Sequence, residues 1–254
     1  SKHTPDLIYM GNMSGCGQPF ILENLYTFRT RWNWPALVER LTLEELQAHL
    51  DDVALSVVDL EPALLDDIWK GITRRFSYLQ LDDYIRRQDG KDYKWDYCYF
   101  YSLPEFDVVS YLRDHEDCIN WSALSLSGSL RKLLQKDENL AYKTWLKKIE
   151  KLLAGHPWDF GALSRQSEIN GCPEVLKAHI EAWDWAYLSR YSTCFSRDEK
   201  NIDEFSDRVV FGQLSLRNDC KLTPGMIFKY GNKDWDWEAL SANASVTLSV
   251  ELVE

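Results

Sequence analysis

The sequence predicts an all-α protein built from tandem short helical-hairpin repeats, α-solenoid-like, with a poorly defined N-terminal lead-in. Three observations predict it. A block of the form Trp-Asp-Trp-x-x-Leu-Ser recurs along the chain, the recurrence keeps a spacing near 25 residues, and a polar turn with helically spaced apolar residues follows each copy. A unit that short cannot bury its own apolar stripe, so neighbours must stack and share one core.

The clearest copies are Trp158–Ser164, Trp183–Ser189 and Trp235–Ser241, with Ile119–Ser125 a fourth. Val209–Ser215 and Trp95–Tyr101 are weaker members, Trp32–Leu37 begins the series, and Asp52–Ser56 reads as a decayed copy. With the Leu or Phe of each block as marker, successive separations from Phe100 are 24, 39, 25, 26 and 26 residues. The 39 implies one inserted helix. Residues 139–154 supply it, with Leu146, Ile149, Leu152 and Leu153 on one face and Gly155 as the stop.

Taken in order, residues 1–30 form a non-repeat lead-in with Gly11, Gly15 and Gly17 in a loop-like run. Residues 31–94 read as degenerate helical repeats; Leu41 to Gly71 is helical, and Thr42 with Glu45 makes a capping box. Residues 95–254 carry the regular array.

Inside each block the residue types fit a helix start. Asp159, Asp184 and Asp236 suit the N-cap, where a carboxylate oxygen accepts a free first-turn amide. The aromatics Trp32, Trp34, Trp95, Trp121, Trp158, Trp183, Trp185, Trp235 and Trp237, with the markers Leu124, Leu163, Leu188 and Leu240, read as the structural spacers of the repeat interfaces. Second helices then begin at Pro173 and Pro224, with Pro104 at a shorter offset and Thr247 replacing proline in the last copy. Their stripes are Val175, Leu176, His179 and Ile180; Met226, Ile227 and Tyr230; and Val108, Val109, Tyr111 and Leu112.

Composition sets the remaining bounds. With 45% hydrophobic and 13% aromatic residues in 254, the chain can bury a core. A net charge of −11 repels phosphate backbones and anionic lipid heads. The absence of a long apolar run excludes a membrane-spanning helix and, with no apolar signal core at the start, places the protein in the cytoplasm. The chain starts without Met and stops at Glu254 inside what reads as a helix, which suggests a piece of a larger bacterial protein.

Sites of chemistry are sparse. Cys16, Cys98, Cys118, Cys172, Cys194 and Cys220 show no CxxC pair, so they read as reduced structural thiols, and no metal site is expected. His115–Cys118 holds ligand types, but adjacent helical residues point apart and cannot converge on one ion. The Gly11–Gly17 run lacks the Lys-Ser/Thr ending of a phosphate loop. No catalytic residue and no cofactor is assigned, since no nucleophile elbow or zinc-protease pattern occurs. Within 129–155, Arg131, Lys132, Lys136, Lys143, Lys147, Lys148 and Lys151 face only Asp137, Glu138 and Glu150, a local +4. That segment is the one candidate contact patch for nucleic acid, which is otherwise disfavoured, or for an acidic partner.

The tandem Trp-x-Trp-x-x-Leu-Ser blocks, each followed by a polar turn and a Thr- or Pro-started helix, resemble the Trp-rich tandem-repeat proteins of bacteria and giant viruses. The resemblance covers residues 95–254 well and 31–94 poorly. In that pattern an Asn follows Leu-Ser; Asn218 and Asn243 supply it, while Gln166 and Ser127 depart from it. The resemblance implies the repeat architecture and brings no activity.

The function expected from these features is a protein-interaction or sensing scaffold with a protein partner, contacted on a concave side lined by the second helices. The alternative is an enzyme acting on carbohydrate or a nucleotide in an acidic, Trp-lined cleft, with motif Asp side chains converging. A structural spacer between active modules is a third reading. In either of the non-catalytic readings the motif Asp residues stand one per block, as caps.

Overall fold

A computed structural model describes residues 18–87 and 93–246, and over those residues the chain is all helical, with twenty α-helices and no strand. The Gly11–Gly17 run, Cys16 and the Thr247 start lie outside the described residues. None of the described helices is long and apolar enough to cross a membrane. The chain divides into two compact units, Ser1–Ile119 and Asn120–Glu254, a boundary inside the stretch read as one array.

In the first unit, α1 (Gln18–Glu23) lies in the expected lead-in, so part of residues 1–30 is helical. Next come α2 (Trp34–Arg40), α3 (Leu43–Ala48), α4 (Leu50–Val57), α5 (Pro62–Thr73) and α6 (Tyr78–Arg86). The Thr42 hydroxyl accepts the Glu45 amide and the Glu45 carboxylate accepts the Thr42 amide, which fixes where α3 begins. Ser77 and Gln80 repeat that arrangement at α6.

The unit closes with α7 (Tyr97–Phe100) and α8 (Val108–Asp114). Pro104 does not start α8; it sits in a turn, and Asp107 caps the helix by accepting the Val109 amide at 3.1 Å. An aromatic cluster of Trp69, Phe76, Trp95, Phe100, Tyr101 and Phe106 fills the interior. Two expectations depart: the stripe member Val109 is 54% exposed, and Leu55, at the marker place of the decayed copy Asp52–Ser56, is 61% exposed. Each sits on the solvent side of a helix whose other apolar residues, Val108 and Leu112 or Val53 and Val57, take the core face.

The second unit runs α9 (Trp121–Leu126), α10 (Gly128–Leu134), α11 (Tyr142–Leu153), α12 (Phe160–Leu163), α13 (Ser167–Asn170) and α14 (Pro173–Ala178). It continues α15 (Trp185–Tyr191), α16 (Cys194–Arg197), α17 (Lys200–Glu204), α18 (Phe211–Ser215), α19 (Pro224–Lys229) and α20 (Trp237–Ala242). Prolines 173 and 224 take the first turn of α14 and α19 as expected, where no amide is needed. The segment expected as an inserted helix is α11, which begins at Tyr142 after a turn in which Asp137 accepts the Asn139 amide. The 39-residue interval nevertheless holds three helices, α9–α11, as many as each of the next two, shorter intervals, so the added length lies in longer helices, α10 and the twelve-residue α11, and in the turn between them rather than in an extra helix. The buried face of α11 is Trp145, Ile149 and Leu153; Leu146 and Leu152 are half-buried. Gly155, at φ +82°, takes the left-handed conformation that lets the chain leave α11. Between α12 and α18 the units hold three helices, α12–α14 and α15–α17, where a hairpin of two was expected.

Candidate functional site

The blocks share one local geometry. Asn33, Asp96, Asn120, Asp159, Asp184, Val210 and Asp236 precede their helices with φ from −74° to −87° and ψ from 83° to 96°. In the six with an Asp or Asn, the side-chain oxygen accepts the amide three residues on, at 2.9–3.3 Å. Asp159, Asp184 and Asp236 therefore spend Oδ1 on their own helix. At Asp159, the Ser122 hydroxyl first and the Ala162 amide second hold the carboxyl below the usual range.

The residue after the marker carries a second recurring contact. The Asp159 amide donates to Ser125 Oγ at 3.3 Å, Asp184 to Ser164 at 3.0 Å, Val210 to Ser189 at 2.9 Å and Asp236 to Ser215 at 3.2 Å. All four hydroxyls are fully buried. Ser164 and Ser215 also donate to the carbonyl four residues back, at Phe160 and Phe211. One hydroxyl thus ties its own helix to the cap of the following block, and a part-buried amide that had no helical partner is satisfied.

A third contact runs the other way. Three residues after the marker, Gln166 donates to the Ser125 carbonyl at 2.8 Å, and Asn243 donates to those of Ser215 and Arg217 at 2.9 and 2.7 Å. Of the two blocks between them, the Leu188 block has Tyr191 at that place, 60% exposed, and in the Leu214 block the place belongs to Arg217, not to Asn218. Arg217 is buried, donates to the Ser189 and Ser192 carbonyls, and is held bidentate by Asp219 at 2.9 and 2.7 Å.

The aromatics pack in sequence. Trp121 meets Trp158 edge-on at 5.1 Å, Phe160 meets Trp183 at 4.9 Å and Phe211 meets Trp235 at 4.8 Å. Where Val209 replaces the Trp, Trp185 turns to Phe205 at 5.3 Å. Trp158, Trp183 and Trp235, the first Trp of their blocks, are buried, and each donates the indole N–H to a carbonyl of the preceding segment, at Leu152, Leu176 and Tyr230. Trp34 and Trp95 are buried too, and Leu124, Leu163, Leu188 and Leu240 with them. Trp32, Trp121 and Trp185 are half-buried, which departs from a pure spacer role. Trp237 contradicts that role: it is 53% exposed, because none of the described residues packs a ring on it.

Sequence reading missed one member. Trp69, Ile72 and Thr73 reproduce the contact set inside α5: Thr73 is buried, donates to the Trp69 carbonyl at 2.6 Å and accepts the Asp96 amide at 3.0 Å. Trp69 meets Trp95 edge-on at 5.4 Å, and Arg75, three after Ile72, donates to the Val38 carbonyl. The signal was Trp-x-x-Ile-Thr, a conservative spelling of Trp-x-x-Leu-Ser.

Reactive groups are muted. Burial pushes the Cys194 thiol up to about 12 and the Cys220 thiol to about 11, and raises Cys172, so none is an activated nucleophile. Tyr142 donates to Glu174 at 2.8 Å and lies 3.0 Å from the Cys172 sulfur, a polar contact joining α11 to α14. No metal-competent group of His, Cys, Asp and Glu occurs among the described residues, His115–Cys118 included.

In the basic segment Arg131 and Lys148 are engaged internally, Arg131 with Gln166 at 3.2 Å and Lys148 with the Leu133 carbonyl at 2.9 Å. Lys132, Lys143, Lys147 and Lys151 are exposed, the last three at four-residue steps along one side of α11. Compared with protein-family models, with curated proteins and with solved structures, the chain matches none.

Proposed function

We propose that this chain is a protein-interaction scaffold: a stacked array of helical repeats of the Trp-rich kind that its blocks resemble. The observation that carries the reading is the tie from a buried hydroxyl to the next block's cap amide, met four times in the second unit and once in the first. Contacts of that sort extend a chain into surface rather than closing a pocket. Each motif Asp gives one carboxylate oxygen to the cap of its own helix, one per block, which favours the scaffold over an enzyme built on those residues. The free, buried thiols fit a reducing cytoplasm.

Partner contact falls to faces that the stacking does not use, above all the second helices, where Phe228 on α19 is 54% exposed. Affinity capture with the full chain tests this. A defined protein partner, lost from Phe228→Asp or Val109→Asp while both variants keep the wild-type melting temperature, is the expected result. Capture of nothing, together with hydrolysis of a glycan or nucleotide that Asp184→Asn abolishes, would replace the scaffold by the enzyme.

A further inference from the structure

Charge is divided unevenly along the chain. Residues 1–119 hold 12 basic and 21 acidic side chains, whereas residues 120–254 hold 17 and 19. Much of the first unit's excess has one source: positions 41–69 carry eight carboxylates and neither Lys nor Arg. The local +4 of positions 129–155 is its opposite. At about 0.15 M salt a charge is felt over only about 8 Å, so such local excesses govern contact while the net −11 governs long-range repulsion.

The acidic stretch presents a helix face. On and just past α4, Asp51, Asp52, Leu55, Val58 and Asp59 recur at helical steps on the side away from the buried Leu50, Val53 and Val57. All five are exposed, Leu55 at 61% and Val58 at 50%. Asp51 and Asp52 also take the Tyr93 hydroxyl and His49. Two apolar side chains in water with carboxylates at either end suit a partner that brings cations on apolar stems.

Such stems stand in a row on α11. Lys143, Lys147 and Lys151 are exposed on the side opposite the buried Trp145, Ile149 and Leu153. Elsewhere cations are paired, Lys70 with Asp66, Lys177 with Glu204 and Lys229 with Asp203, yet none of these three meets a carboxylate among the described residues. Like charges four residues apart weaken a helix, so the row costs α11 stability that an acidic partner would return. Along the helix axes, Lys143 to Lys151 spans about 12 Å and Asp52 to Asp59 about 10 Å. The outer ammonium groups can therefore reach the two acids while the Lys147 stem crosses Leu55.

We propose that the α4 face of one copy of this chain docks, head to tail, on the α11 lysine face of a second copy. A nucleic acid would satisfy the lysines and a basic peptide would satisfy α4, but each leaves the other face unanswered. A second copy supplies both halves of the contact.

Sedimentation of the full chain tests this. At about 0.1 M salt the mean mass should rise with concentration, in the micromolar to millimolar range that small charged contacts reach. Raising the salt to about 0.5 M should weaken association at least about tenfold. A triple variant, Lys143→Glu with Lys147→Glu and Lys151→Glu, and a double variant, Leu55→Lys with Asp59→Lys, should each be monomeric. Both should keep the wild-type melting temperature, since every substituted side chain is exposed. An equimolar mixture of the two should associate again, because each retains the face that the other has lost. A wild-type chain that stays monomeric, association that either variant leaves unchanged, or a mixture that stays monomeric overturns the proposal. Labelled single-stranded DNA that binds a monomeric wild-type chain and is lost from the triple variant also overturns it, by making nucleic acid the occupant. None of these outcomes touches the Phe228 and Val109 capture experiment.

Discussion

Residues 120–246 and residues 18–119 use one contact scheme with different letters. In the second unit a serine at marker plus one accepts the next cap amide; in the first unit Thr73 does so. Gln166 and Asn243 reach back to a carbonyl in the one, and Arg75 in the other. The geometry asks for a β-hydroxyl, a buried branched or aromatic marker and a long donor, and it tolerates any residue that supplies them. A repeat therefore outlives its own spelling.

The largest way to break the comparison is to remove an indole. Trp69→Ala in the first unit and Trp183→Ala in the second should each cost about 3 to 5 kcal/mol, read from urea unfolding, since both are buried. A cost confined to Trp183 would separate the two units after all. Leu188→Ala and Ile72→Ala come next, at about 2 to 5 kcal/mol each, because both markers are fully buried.

Removal of the hydroxyl sharpens the comparison further. Ser164→Ala and Thr73→Val leave a part-buried cap amide unpaired and should cost about 1 to 3 kcal/mol each. Ser241→Ala, with an exposed hydroxyl, should stay within about 0.5 kcal/mol. Equal costs at Ser164 and Ser241 would mean the bond to the next cap contributes nothing. Asp184→Ala should cost about 1 kcal/mol as a lost cap.

The smallest effect is on pH dependence. Burial lowers the pKa of His179, which packs on Phe160 at 4.8 Å. The folded state therefore binds that proton less readily than the unfolded state. Stability is full above the ordinary histidine value, about 6.5, and declines as the pH falls below it. His179→Phe should flatten that slope. Asp159 adds its loss only at lower pH, since its folded pKa lies below the ordinary carboxylate value and its contribution fades as the pH falls through that range.

How far the sequence could be read follows from the same physics. The all-helical class was legible because Leu and Trp recur at helical spacing, and the caps because Asp and Asn are the residues that start helices. Trp69–Thr73 was hidden because it lies inside α5 rather than at a helix start, so no Asp marks it and Thr stands for Ser. Asn218 attracted the pattern, yet Arg217 one residue earlier has the reach and the donors. The role of the serine was invisible for a different reason: an acceptor hydroxyl shows itself only through the amide it meets, some 20 to 34 residues away. Exposure of Trp237 was equally unreadable, since its letters match those of the covered blocks.

The tie between blocks can be watched directly by native-state hydrogen exchange at the cap amides. Asp96, Asp159, Asp184, Val210 and Asp236 should be protected well above the exposed Asn33, although a cap amide has no partner within its own helix. Ser164→Ala should release Asp184 by far the most. Cap amides that exchange as fast as Asn33, or a Ser164→Ala variant in which Asp184 stays protected, would contradict the account.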